Sequence, residues 1–502
     1  MRQSDQTLID VFEANARRHA DGIAFHHGTV TTHSAFLQRT EQLATGLQRC
    51  GIGRGDRVAM LSRNRIEFME LIGAAAQLGA IVSAINWRLS AAEVALVLEG
   101  DDPKLVLVED EFWALLDPML EKTGAQPEPV CLDGRRDGFR SMADLYDIGG
   151  QFAPVEAGAD DPVLLIHTAW SDQRPKAAML SHRNLLANAV QLQLVWGLSQ
   201  KDVHLCCLPL FHSTAISLTL ATQLAGGSSV LLSAFDAAQT VALIQSHQAT
   251  LFAEFAPMLE SLMNASPDAA TRMGSIRHVC GLDAPDTIRK FEAACPSATF
   301  WSGYGQTEAS GLVTLGRFRD AEGSVGHGLP LCAVEIIGDD GRPLAEGEQG
   351  EITVRGPGVF LGYWKRPADN EWVFRSGRLH TGDAGRLDGQ GRLWYCGRLP
   401  SKELIKTGGE NVYPQEVEGV LRQHPSLADV AVIGVADPKW GEAVRAVCVK
   451  AAGMAPQQQE LIDFVGARIA HFKRPRTVVF VDALPKKADG SNDRDRIRTL
   501  YG

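Results

Sequence analysis

The runs Arg57-Val58-Ala59-Met60-Leu61, Ile66–Leu78 and Leu105-Val106-Leu107-Val108 decide the architecture of this chain. The first and last are short and apolar, the pattern of buried strands, whereas the middle one is long enough for a helix. The alternation continues through Val163-Leu164-Leu165-Ile166 and Val230-Leu231-Leu232. Strands separated by helices predict parallel β-α-β layers, hence an α/β fold. Residues 71–87 are the most apolar stretch, but Gln77, two glycines and Asn86 interrupt it. It reads as a buried helix running into a loop or strand, with no membrane span.

From about Gly323 the texture changes. Glu351-Ile352-Thr353-Val354 and Arg392-Leu393-Trp394-Tyr395 lie between Gly, Asp and Pro turns and predict a smaller antiparallel unit. A boundary is expected at 397–402, giving domains of 1–400 and 401–502. Beyond it, 412–421 starts a helix and Val430-Ala431-Val432-Ile433-Gly434-Val435 reads as a strand. Val444-Arg445-Ala446-Val447-Cys448-Val449 and Val478-Val479-Phe480-Val481 are further strands, with a helix over 459–469 between them. The terminal part is therefore a small α+β domain, and two unequal domains with a short joint suit a site at their interface.

A chain of 502 residues is too long for one ordinary core. Its 45% apolar and 22% charged residues are those of an ordinary globular protein. The net charge of -11, without a basic stripe, argues against a nucleic-acid partner. The nine cysteines are scattered with no Cys-x-x-Cys spacing, which removes support for structural zinc. Reduced thiols and a cytoplasmic location are the simpler expectation. Residues 1–13 are polar and lack the basic and apolar regions of a secretory leader. No sequence feature indicates an oligomeric state, and a homo-oligomer stays open.

Four segments carry chemistry. Thr168-Ala169-Trp170-Ser171-Asp172-Gln173-Arg174-Pro175-Lys176 follows the strand at 163–166. Hydroxyls, backbone N–H groups and a lysine in such a loop can wrap phosphate, but it contains no glycine, and taken alone an ordinary strand-to-helix loop is the plainer reading. Tyr304-Gly305-Gln306-Thr307-Glu308 presents a hydroxyl and then a carboxylate, a pair able to hold a phosphate oxygen and Mg²⁺ together. A helix-capping turn is its plain alternative. Thr381-Gly382-Asp383, followed by Gly397-Arg398, offers a carboxylate for ribose hydroxyls and a guanidinium for phosphate or ribose oxygens. Gly408-Gly409-Glu410-Asn411-Val412-Tyr413-Pro414 is a flexible loop opening a helix, or a simple hinge.

The order of these segments, from about Thr7 to Gly502, resembles the adenylate-forming superfamily of acyl-CoA synthetases, peptide-synthetase adenylation domains and luciferases. Residues 168–177 align with that family's phosphate loop T-S-G-T-T-G-x-P-K-G, which implies ATP contacts at Thr168, Ser171 and Lys176. Leu208-Pro209-Leu210-Phe211-His212 looks like the aromatic segment beside the acyl pocket, with His212 lining or gating the carboxylate. Gly281-Leu282-Asp283-Ala284-Pro285 resembles the adenine-binding turn, carried by Asp283, Ala284 and Pro285. Residues 304–308 match Y-G-x-T-E, which implies Tyr304, Gly305 and Gln306 at the nucleotide, Thr307 on the α-phosphate and Glu308 on Mg²⁺. Asp383 and Arg398 fall where the family binds ribose. Lys402 falls at the interdomain hinge, although Arg398 lies further upstream of it than usual. Gly408, Gly409 and Glu410 look like the loop that enters the site for thioester formation.

The resemblance implies a large multi-layer α/β N-terminal domain with a small β-barrel-like subdomain, and a mobile terminal domain. It also implies an AMP-forming, fatty-acid-CoA-ligase-like enzyme that uses ATP, Mg²⁺ and CoA on a small-molecule carboxylic acid. Two departures stand out. Trp170 and Gln173 occupy glycine positions of the phosphate loop, with Asp172 beside them. At the C-terminus, Leu484-Pro485-Lys486-Lys487-Ala488-Asp489-Gly490-Ser491 aligns with L-P-x-T-x-x-G-K, so Ser491 stands in place of the catalytic lysine. These changes set two rivals beside the ligase: a non-catalytic nucleotide- or acyl-binding protein on the same scaffold, and an enzyme keeping one half-reaction.

Overall fold

In the computed structural model, Ile66–Leu78 is a helix with every residue but Glu67 buried. Gly79 ends it in the left-handed conformation, and the chain turns directly into the strand Ile81–Ala84. The model describes the chain apart from residues 1–5, 121–126, 147–152, 154, 172–173, 400–401, 438–439 and 488–489, and it gives no side-chain surroundings for 169–171 and 174.

This β-α-β unit sits inside an eight-stranded sheet, where Arg57–Leu61 pairs in parallel with Ile81–Ala84 and Leu105–Val108. A second sheet of nine strands runs through Thr299–Gln306, His278–Leu282, Leu251–Phe255 and Val203–Cys206. Its central strands are parallel, as the alternation of strands and helices predicts. One hydrophobic cluster spans both sheets and the helices between them.

Ala333–Ile337, Gly350–Arg355, Leu379–Leu387 and Leu393–Arg398 form the antiparallel unit expected after Gly323. Their order is an open path, so among the described residues the expected barrel-like subdomain is an open four-stranded sheet. The terminal part has its own core around Val417, Val432 and Leu461. There Leu427–Asp437 and Gly441–Lys450 pair antiparallel, and Thr477–Val481 joins in parallel.

Buried charge fastens the terminal part to the large one. The Lys473 ammonium, 1% exposed, lies 2.7 Å from Glu93 Oε1 and 2.6 Å from Glu416 Oε2. Glu93 also caps its own helix, Ala91–Asp101, and accepts the Ala470 N–H at 2.9 Å. Among the described residues, no helix is long and apolar enough to cross a membrane.

Candidate functional site

The loop at 168–176 differs from the expected strand-to-helix connection. Pro162–Ser171 and Arg174–Ser181 pair antiparallel with a register shift between His167 and Trp170, so the loop is the tip of a β-hairpin. Asp172 and Gln173 lie outside the described residues, as do the side chains of Trp170 and Ser171. The hairpin's ends are described. Thr168 donates its hydroxyl to Glu308 Oε1 at 3.2 Å. Lys176 pairs with Asp369 and stands 5.2 Å from the Tyr363 ring centroid.

Glu308 is the meeting point. The strand Thr299–Gln306 ends in a short 3-10 turn that starts at Thr307 and buries Glu308. Glu308 Oε1 accepts the Tyr363 hydroxyl at 2.7 Å as well as that of Thr168. Burial, reinforced by this carboxylate, pushes the Tyr363 phenol well above its usual value, so it remains the donor. Thr307 Oγ1 lies 3.4 Å from Ser213 Oγ. Gly305 has a steric reason: a Cβ there would fall 2.0 Å from the Gly311 carbonyl oxygen of the adjacent strand. Gln306 Nε2 is buried with no hydrogen-bond partner among the described residues.

Asp383 forms the second focus, 5% exposed. Its Oδ2 accepts the Tyr304 hydroxyl at 2.8 Å and the Lys402 ammonium at 2.9 Å. The Tyr304 and Tyr395 rings stack with centroids 6.1 Å apart. Arg398 is the register partner of Asp383, but its guanidinium turns to the Leu404 carbonyl at 2.6 Å and to Glu442 at 3.2 Å. Lys402 thus makes the carboxylate contact that sequence reasoning leaves to no residue.

The loop at 408–410 reaches into the large part. Gly408 and Gly409 have φ of 55° and 84°, a backbone that favours glycine. The Gly408 N–H donates to the Trp440 carbonyl at 3.0 Å, and a Cβ on Gly409 would meet the Phe255 ring at 3.3 Å. Glu410 pairs with Arg88, accepts from Asn86 at 3.1 Å and lies 3.4 Å from His212 Nε2. Burial pushes the Glu410 carboxyl up, yet His212 and Arg88 outweigh it and hold it down at about 2. His212 therefore faces the incoming loop as well as the ring of Phe211, 4.4 Å away.

A cleft of about 820 Å³ opens between the two parts, lined among others by Phe255, Asp283, Ala284, Tyr395, Arg398 and Lys406. Pro285 opens the helix Pro285–Ala294 beside it, with its ring at the first helical turn. Burial and the neighbouring Arg398 push the Lys406 ammonium down to about 8. Ser491 lines a separate groove on the terminal part with Lys486, Asp429 and Arg494. Sequence reasoning missed Asn86, Arg88, Tyr363 and Tyr395, which stand outside its motifs. Asn86-Trp87-Arg88, polar residues directly behind a buried strand, was the available signal.

For Mg²⁺ the donor set is a hard one, the Glu308 carboxylate with the Thr168 hydroxyl on it, and the Thr307 hydroxyl on the same turn. One or two carboxylates plus substrate phosphates suit that ion, so the residues fit it. A carboxylate–hydroxyl turn and a carboxylate–tyrosine pair, beside a cleft between two unequal α/β parts, define a nucleotide-using enzyme. The chain belongs to the AMP-binding enzyme family: the family model matches 12–364, and the model of the AMP-binding enzyme C-terminal domain matches 416–491. It is an adenylate-forming enzyme. A feruloyl-CoA synthase of Amycolatopsis sp is 34% identical over 100% of both chains. An indoleacetate–CoA ligase of Aromatoleum aromaticum is 34% identical over 92% of this chain and 91% of its own. Among solved structures, a double mutant of o-succinylbenzoate CoA synthetase from Bacillus subtilis, bound with its product analogue, superposes with a TM-score of 0.86. It is 26% identical over 98% of each chain.

Proposed function

We propose that this chain activates a carboxylic acid with ATP as an acyl-adenylate, releasing pyrophosphate, and then transfers the acyl group to the thiol of CoA with release of AMP. The observation that carries this reading is the hydroxyl of Thr168 on the carboxylate of Glu308. It joins two motifs 140 residues apart in the chain at one point. In this reading Thr307 faces the α-phosphate, with Thr168, Ser171 and Lys176 toward the outer phosphates. Asp383 takes ribose hydroxyls once Lys402 yields, while Tyr304, Gly305, Gln306 and the turn at Asp283, Ala284 and Pro285 hold the rest of the nucleotide.

Glu308 would hold Mg²⁺, which supplies charge neutralisation at the phosphates. The chain's own share is placement of the acid carboxylate in line with the α-phosphate, and exclusion of water from that point. His212 borders the acid on one side and pairs with Glu410 on the other, so closure of the 408–410 loop and arrival of the thiol are one event. Lys402 serves as hinge between domains 1–400 and 401–502.

The relatives named above act on aromatic acids, which supports an aryl-substituted acid as substrate. A panel of aryl and aliphatic acids with ATP, Mg²⁺ and CoA, read for AMP, pyrophosphate and acyl-CoA separately, tests the reading. AMP and acyl-CoA in equal amounts are expected. A second reading, in which only thioester formation survives, draws support from Ser491 standing in the lysine's place. It requires acyl-CoA from supplied adenylate and no pyrophosphate from any free acid.

A further inference from the structure

We propose that Glu254 is a positioning residue for the nucleotide turn, acting through one proton shared between its carboxyl group and that of Asp283. The inference rests on the nucleotide reading of the cleft. Glu254 lies in the strand Leu251–Phe255, fully buried. Neither of its carboxyl oxygens has a hydrogen-bond partner of normal geometry among the described residues, and neither does the buried Oδ2 of Asp283. The other Asp283 oxygen accepts the Ala284 N–H at 2.6 Å, inside the turn itself. The two strands are parallel neighbours with Glu254 opposite Gly281. A Cβ at Gly281 would fall 2.3 Å from both the carbonyl and the Oε1 of Glu254, so only glycine lets that carboxyl lie against the next strand.

Among the described residues, the groups facing Glu254 and Asp283 supply no counter-charge, only the Leu259 and Leu282 N–H groups toward Glu254. Glu254 faces Asp283, with Cys207 and Cys280 on the flanking strands. Asp283 faces Glu260 and the Thr287 hydroxyl. Lys406, on the strand Ile405–Thr407 of the terminal part, stands over the Phe255 ring. Two ionised carboxylates facing each other here, one fully buried and one half-buried, would each lose solvation and repel the other. One proton between them turns the repulsion into a hydrogen bond, as in other carboxyl dyads. Burial, and after it Asp283, hold the Glu254 carboxyl well above the usual carboxylate range, while burial also raises Asp283. The proton belongs to the pair. It ties a strand end to a turn whose Asp283 and Ala284 line the cleft.

Glu254→Gln supplies an amide donor to Asp283 that pH cannot remove, whereas Glu254→Leu supplies none. ATP affinity, measured by calorimetry from neutral to alkaline pH, should fall in the wild type relative to Glu254→Gln as the shared proton leaves. Glu254→Leu should weaken ATP about tenfold or more at neutral pH, the cost of a buried acceptor left without its donor. Unfolding supplies a readout without nucleotide. The folded chain keeps a proton that the unfolded chain releases above the ordinary carboxylate value, so stability falls as pH rises. Glu254→Gln should make that slope shallower, the remainder coming from other raised carboxyl groups such as Glu416. Equal slopes in wild type and Glu254→Gln overturn the shared proton, and wild-type ATP affinity in Glu254→Leu overturns the positioning role. A wild type that loses stability with pH in this way but binds no ATP would instead sink the nucleotide reading of the cleft.

Discussion

In the turn at 304–308, Tyr304 and Glu308 are buried and paired before any ligand arrives. Glu308 already holds two hydroxyls, and the Tyr304 hydroxyl already meets Asp383. Near the C-terminus the arrangement is the reverse. Lys487 is exposed and, among the described residues, is tied by backbone bonds alone to Gly490 and Ser491, whereas Lys486 is held by Asp429 at 2.5 Å and Asn492 at 2.6 Å. Buried, mutually paired groups resist replacement, because removing one strands its partners away from water. An exposed charge is exchanged at little cost to stability, and a neighbour can take over its work.

The contrast can be broken at several points. Glu308→Ala removes the shared acceptor of the buried turn, and adenylation, followed as pyrophosphate release, should fall about two to three orders of magnitude. A loss under tenfold would mean that the buried turn is not where phosphate charge is met. Ser491→Lys returns a cation to the exposed segment, and adenylation should rise toward that same range while thioester formation from supplied adenylate stays level. If Ser491→Lys changes nothing and Lys487→Ala abolishes adenylation, the neighbouring lysine already performs the role.

Lys402→Pro acts on the joint between the two regions. It restricts the backbone there and removes the ammonium from Asp383. Thioester formation should slow about a hundredfold with adenylation largely spared, since misplacement of about 1 Å can cost that much. Equal losses in both half-reactions would count against a hinge. Asp383→Ala should weaken ATP binding about tenfold or more by calorimetry, the worth of a charge-assisted hydrogen bond. Unchanged affinity would remove the ribose contact.

Several parts of this protein could be read from the chain alone. Ile66–Leu78 and Leu105–Val108 form over those residues because a long and a short apolar run admit few other structures. The terminal strands and the turn at 304–308 were equally legible, since periodicity and motif spacing are local properties. Tertiary structure alone decided the pairings. The chain does not say that Arg398 turns to Glu442 while Lys402 takes Asp383, because two adjacent cations compete for carboxylates brought near only by folding. Nor does it announce that Glu410 meets Arg88, or that the buried Glu254 faces Asp283. Those contacts join strands and loops distant in sequence, and their strength depends on the exclusion of water, which no linear pattern records.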